Sequence, residues 1–138
     1  MCVGMIFMSR ASTIVDLYVA TGESGPALAW AARAAACQPV PQAFLAEVHT
    51  RLGQLKEAEL IVRAAASKEP EAYRRVPLFW QLAEIQVRRG ELQDGLATLA
   101  AAREEAPDDA SKAQCESRLK SVRRLVAVRQ SIQTEEIP

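Results

Sequence analysis

The side chains from which nucleophile or metal chemistry would have to be built are few: one histidine, His49, and three cysteines, Cys2, Cys37 and Cys115. The cysteines are widely spread and make no CxxC or Cys/His spacing, so no zinc ligand set or Cys–His nucleophile is written in the chain. A Ser/His/Asp device would have to be assembled around His49 alone, and that residue is read as a packed structural histidine. Gly22 to Gly25 reads Gly-Glu-Ser-Gly. It lacks the Lys-Ser/Thr pair and the preceding strand that a phosphate-cradling loop requires. Glu104 and Glu105 read as a solvated helix end. No catalytic residue, metal site, cofactor or small-molecule substrate is therefore expected. What remains is charge at helical spacing: Glu47 with Arg51, and Glu84 with Arg88, each four residues apart and so on one helix face. As plain exposed ion pairs these are worth a few tenths of a kcal/mol. Trp80 adds a second reading, because a large aromatic beside charges is the kind of residue that anchors a partner.

The elements that must position these residues follow from a ladder of glycine, small residue and proline. Gly22, Ala27, Ala34 and Pro39 recur with the same internal spacing as Gly53, Ala58, Ala65, Pro70 and as Gly90, Gly95, Ala102, Pro107. Each leading glycine follows an apolar-periodic segment and takes the positive φ that ends a helix without a Cβ penalty. The small residues five and twelve positions on mark close helix crossings, Ala65 among them, with Ala72 expected outside the packing. The prolines lack an amide donor and close each second helix. First helices are expected at about Met5 to Thr21, Pro41 to Leu52 and Pro77 to Arg89, with Pro41 and Pro77 at the first helical position. Second helices are expected at about Ser24 to Cys37, Leu55 to Lys68 and Leu92 to Glu105. The intervals between leading glycines, 31 and 37 residues, make the connection after Pro39 short and the one after Pro70 long. Asp108 or Asp109 can cap a seventh helix reaching about Arg129, with Cys115, Leu119, Val122 and Val126 on one apolar stripe. No convincing strand is found.

This ladder resembles the tetratricopeptide repeat family, a helix-turn-helix solenoid with a period near 34 residues. The family's apolar first-helix slot holds Ile14, Leu45 and Leu82, its aromatic slot Tyr18, His49 and Gln86, and its bulky second-helix slot Ala31, Val62 and Leu99. The resemblance implies an all-α, right-handed repeat solenoid of about seven helices, with repeats at about 9–39, 40–70 and 76–107 and a capping helix at about 108–130. These form one domain over 1–130, with 131–138 expected to fray as a flexible tail. It also implies a concave groove lined by first helices. In that register the groove receives Ser12 and Asp16, then Glu47, Thr50 and Arg51, then Trp80, Glu84, Val87 and Arg88. Asp16, Glu47 and Glu84 become an acidic column beside Arg51 and Arg88. Family members that hold acidic chaperone C-termini use a Lys, Asn and Arg clamp. The nearest positions here read Ser12, Asp16, Phe44, Pro77 and Gln81, so that ligand is rejected.

Composition agrees with helices packed through small residues: 49% of the 138 residues are hydrophobic and only 5% aromatic. The 17 basic and 17 acidic side chains cancel, leaving the whole chain no electrostatic claim on nucleic acid or membrane. The odd cysteine count fits a reducing, cytoplasmic setting with Cys37 and Cys115 as small structural residues. Met1 to Met8 is apolar but too short to span a bilayer and reads as an early helical turn or a contact with another chain. The seventh helix is rich in Lys and Arg and reads as the solvated face of a cap; without interleaved aromatics it makes no single-strand-binding platform. The leading expectation is a non-catalytic module that binds a peptide or helix of a partner protein, basic or of mixed charge, in its groove. The alternative is a self-associating structural module or arm of a larger assembly, with an accessory domain of an enzyme ranked last.

Overall fold

The computed structural model describes the backbone of residues 4–135 and the side chains of residues 11–134. Among the described residues the chain is all helical: α1 Gly4–Ala20, α2 Ser24–Ala35, α3 Pro41–Arg51, α4 Leu55–Lys68, α5 Ala72–Arg88, α6 Leu92–Glu105 and α7 Asp109–Glu135. Two compact units divide it, Met1–Ala65 and Ala66–Pro138, with α4 running across the division.

The leading glycines do what their spacing predicts. Gly22, Gly53 and Gly90 have φ of 75°, 79° and 82°, in the left-handed region. At each, the glycine N–H donates to the carbonyl three residues back (Val19, Thr50, Val87). The next N–H reaches the carbonyl five residues before it (Tyr18, His49, Gln86), at 2.8–2.9 Å. This doubly bonded helix end satisfies carbonyls that would otherwise be orphaned. Tyr18, His49 and Gln86 therefore share one backbone role although their side chains differ.

In the N-terminal unit, Val15 of α1, Ala31 of α2 and Val48 of α3 form the core, flanked by Leu28, Trp30, Phe44 and Leu45. Ala27, Ala31 and Ala34 put the small face of α2 inward, while Ala58 and Val62 of α4 are fully buried. Cys37 is half of a disulfide rather than the free thiol expected from its composition. Met1 to Val3, part of the apolar start, lie outside the described residues.

In the C-terminal unit, two core clusters meet at Trp80. Ala83, Leu99, Leu119 and Val122 form one, and Val76, Ala102 and Cys115 the other. The stripe expected on α7 is thus real: Cys115, Leu119 and Val122 are buried and Val126 half-buried. Asp108 is the residue that caps α7, its Oδ1 accepting the Ser111 N–H at 2.7 Å.

Four further expectations change. α5 begins at Ala72, not at Pro77, which lies inside the helix. An interior proline costs about 3 kcal/mol through a lost hydrogen bond and a clash one turn back. Burial of Val76 against Ala102 and Cys115 holds the added turn in place. Arg75 helps, donating to Glu105 at 2.9 Å and to the Glu69 carbonyl at 2.8 Å. The long interval after Pro70 is absorbed by this turn, so the connection is only residues 69–71. Ala65 and Ala72 are both half-buried, and of the ladder's small residues Ala27, Ala34, Ala58, Gly95 and Ala102 are the buried ones. Finally, α7 continues to Glu135, six residues past Arg129, where a frayed tail was expected.

Candidate functional site

Between α5 and α7 lies an open cleft of roughly 310 Å3. Its lining is Trp80, Ala83, Glu84 and Val87 from α5, Leu99 from α6, and Ser117, Arg118, Ser121 and Val122 from α7. The helical period explains the set: residues 80, 84 and 87 share one face of α5, and 117, 118, 121 and 122 face it from α7.

Trp80 forms one end of the cleft. Its indole Nε1–H donates to Cys115 Sγ at 3.1 Å. The Arg118 guanidinium lies over the ring, 4.9 Å from its centroid. The indole is consequently fixed on one edge by a buried thiol and covered on one face by a cation, a contact worth about 0.5–1 kcal/mol at an exposed site. Cys115 is buried and free. Glu84 and Arg88 make the expected pair four residues apart, 3.1 Å long and about half exposed. Charges of both signs thus rim an apolar floor of Ala83, Val87, Leu99 and Val122.

Sequence reasoning placed Trp80, Glu84, Val87 and Arg88 on one face, and all four lie on α5 at or beside this cleft. It missed the second wall. Arg118 belongs to the basic face of the last helix that the sequence assigns to solvent, and Ser117 and Ser121 carry no signal in it, because the α7 sequence shows its buried stripe but not which neighbour its flank meets. The stripe does hold the signal: Arg118 precedes buried Leu119 by one position and so stands at the edge of the packed face.

The N-terminal unit has its own version of the charged face. Asp16 and Arg51 are joined at 2.6 Å, bridging α1 and α3. Arg51 therefore pairs across helices rather than with Glu47, its expected partner on α3. Glu47 is exposed. Thr50 is half-buried, and its hydroxyl is committed to the Ala46 carbonyl at 2.8 Å. Ser12 is half-buried on α1. On the other side of α1, Ile14, Leu17, Tyr18, Thr21, Glu23 and Trp30 line a second, apolar cavity.

The remaining chemical candidates are occupied structurally. His49 Nδ1 donates to Gln54 Oε1 at 2.6 Å, tying α3 to the turn that follows it. Buried Gln86 accepts from Thr98 at 2.7 Å. The Thr21 hydroxyl, beside the Gly-Glu-Ser-Gly segment, lies within hydrogen-bond distance of the Glu23 carboxylate at 2.8 Å and of the Leu17 and Tyr18 carbonyls, and its one proton is shared among them. Among the described residues no group of three or more His, Cys, Asp or Glu is placed to hold a metal ion. No described helix is long and apolar enough to cross a membrane. No protein family's sequence model matches the chain, and no curated protein is significantly similar to it.

Proposed function

We propose that this chain is a non-catalytic protein-interaction module of tetratricopeptide-repeat type that holds a peptide or helix of a partner protein on the faces of its first helices. The observation that carries the reading is the α5–α7 cleft: an apolar floor, an immobilised indole and charges of both signs at the rim. That combination suits a partner segment inserting an apolar side chain between charged neighbours. Fixed aromatics bordered by charge are where binding energy concentrates. The three identical glycine turns support the repeat reading, since each closes one helix pair in the same way. Glu84 favours a basic group on the ligand and Arg118 an acidic one, so the ligand has mixed charge. The module needs no cofactor, and neither nucleic acid nor membrane is its target.

The test is capture by the immobilised full chain, followed by identification of the retained protein. Glu84→Lys combined with Val87→Glu abolishes retention of that protein while far-ultraviolet circular dichroism stays unchanged. Retention that survives this double change sinks the reading. One observation favours the alternative of self-association: Leu17 and Leu60 are 63% and 62% exposed. A sedimentation-velocity species heavier than the 15.1 kDa chain that reverts on Leu17→Ser would support it.

A further inference from the structure

The α7 wall of the cleft does not stop at the cleft. Ser121 lines it, and Leu125, Val128 and Ile132 follow at four, seven and eleven positions, on the same helix face. These three are 47%, 56% and 51% exposed, the largest run of open apolar side chains on α7. The packed stripe of Cys115, Leu119, Val122 and Val126 lies about a third of a turn round the helix from these three, and Arg129, between the two, donates to the Gly90 carbonyl at 2.9 Å. The open stripe is therefore not the face that α7 uses to pack on its own unit.

Charge indicates what covers it. Arg118 and Arg124 border the stripe, and Lys120 and Arg123 stand exposed further round the helix. Glu116, the acid near its start, is already joined to Arg103 at 2.8 Å. From Ser117 to Ile132 the face runs about 22 Å, the length of four helical turns.

We propose that α7 docks one amphipathic helix of a partner protein, whose apolar residues at helical spacing lie on Leu125, Val128 and Ile132 and whose flanking residues are acidic. This rests on the protein being a binding module and deepens that reading: the cleft takes one end of the partner helix and the α7 stripe the rest. A stripe of leucines meets the apolar face, and glutamates beside it meet Arg118 and Arg124, as in other helix-in-groove recognition.

The test uses the full chain and two fluorescent synthetic helical peptides of about 20 residues. Both carry the same leucine stripe, flanked in one by glutamate and in the other by lysine. Anisotropy should give at least about tenfold tighter binding of the glutamate peptide, and that preference should shrink between about 50 and about 300 mM salt. Val128→Glu, and separately Leu125→Ser with Ile132→Ser, should each weaken it about tenfold or more with helicity unchanged. Equal binding of the two peptides overturns the proposal. So does binding lost on Val87→Glu but untouched by Val128→Glu, which leaves the cleft a binding site and removes the stripe. Failure of both peptides to bind overturns it too, and capture by the cleft then decides the fate of the broader reading. A dimer of this chain that Val128→Glu dissociates assigns the stripe to a second copy and equally overturns it.

Discussion

Arg118 on α7 lies over the indole of Trp80 on α5, 4.9 Å from the ring centroid, while the indole N–H points to Cys115 on the same helix as Arg118. Two residues one turn apart on α7 thus hold one aromatic of α5 from two directions. This contact joins what sequence reasoning kept as separate surfaces, a groove of first helices and a basic last helix.

Trp80 therefore bears on folding as well as binding. Trp80→Ala should cost about 2–3 kcal/mol in urea unfolding, less than a fully buried Trp because the ring is half-buried. Arg118→Ala should cost no more than about 1 kcal/mol. Equal losses for the two would mean that the guanidinium, not the packing, is the main restraint.

The positive-φ turns can be checked against an internal control. Gly53→Ala places a Cβ in a left-handed conformation and should destabilise by about 1 kcal/mol or more. Gly25, inside α2 with nothing within 4 Å of an added Cβ, should accept alanine with no loss or a small gain. Thermal melts should fall for Gly53→Ala and stay level or rise for Gly25→Ala.

Ala102 is fully buried and Ala97, on the same helix, is exposed. Ala102→Leu should overpack the α6 crossing and cost about 1–3 kcal/mol, whereas Ala97→Leu should stay within about 0.5 kcal/mol. Chemical denaturation midpoints that shift alike would contradict the register.

Removing residues 109–135 would expose Ala83, Leu99, Val76 and Ala102 together. Light scattering should show aggregation or a clear drop in melting temperature, because these apolar side chains would then face water. A monomeric truncation of undiminished stability would show that α7 is not part of this core.

Asp108 carries a pH signature. Hydrogen bonds from the Ser111 backbone N–H, then from its side chain, hold the carboxyl below the ordinary aspartate range. A depressed folded-state value means the cap stabilises above the unfolded-state range and is lost as pH falls through the folded value. The melting-temperature gap between the native protein and Asp108→Ala should be full above about pH 5 and close as the pH falls below about 4. A gap constant down to the acid limit would exclude the charged cap.

Much of the helical architecture was written locally. The glycines fix where helices end, because only they take the left-handed turn without strain, and α4 and α6 begin and end where the ladder puts them. The α7 core stripe is equally local, since Cys115, Leu119 and Val122 follow the helical period. Local rules fail where packing competes with them. Pro77 should start a helix, yet burial of Val76 and the two anchors of Arg75 extend α5 one turn ahead of it. Arg51 should pair with Glu47 on its own helix but reaches Asp16, because a neighbouring helix brings that carboxylate to 2.6 Å. The cleft itself was half legible: periodicity put Trp80, Glu84 and Val87 on one face. Which flank of α7 would meet them was decided by the rotation of that helix about its buried stripe, a property of side-chain packing that sequence spacing alone does not contain.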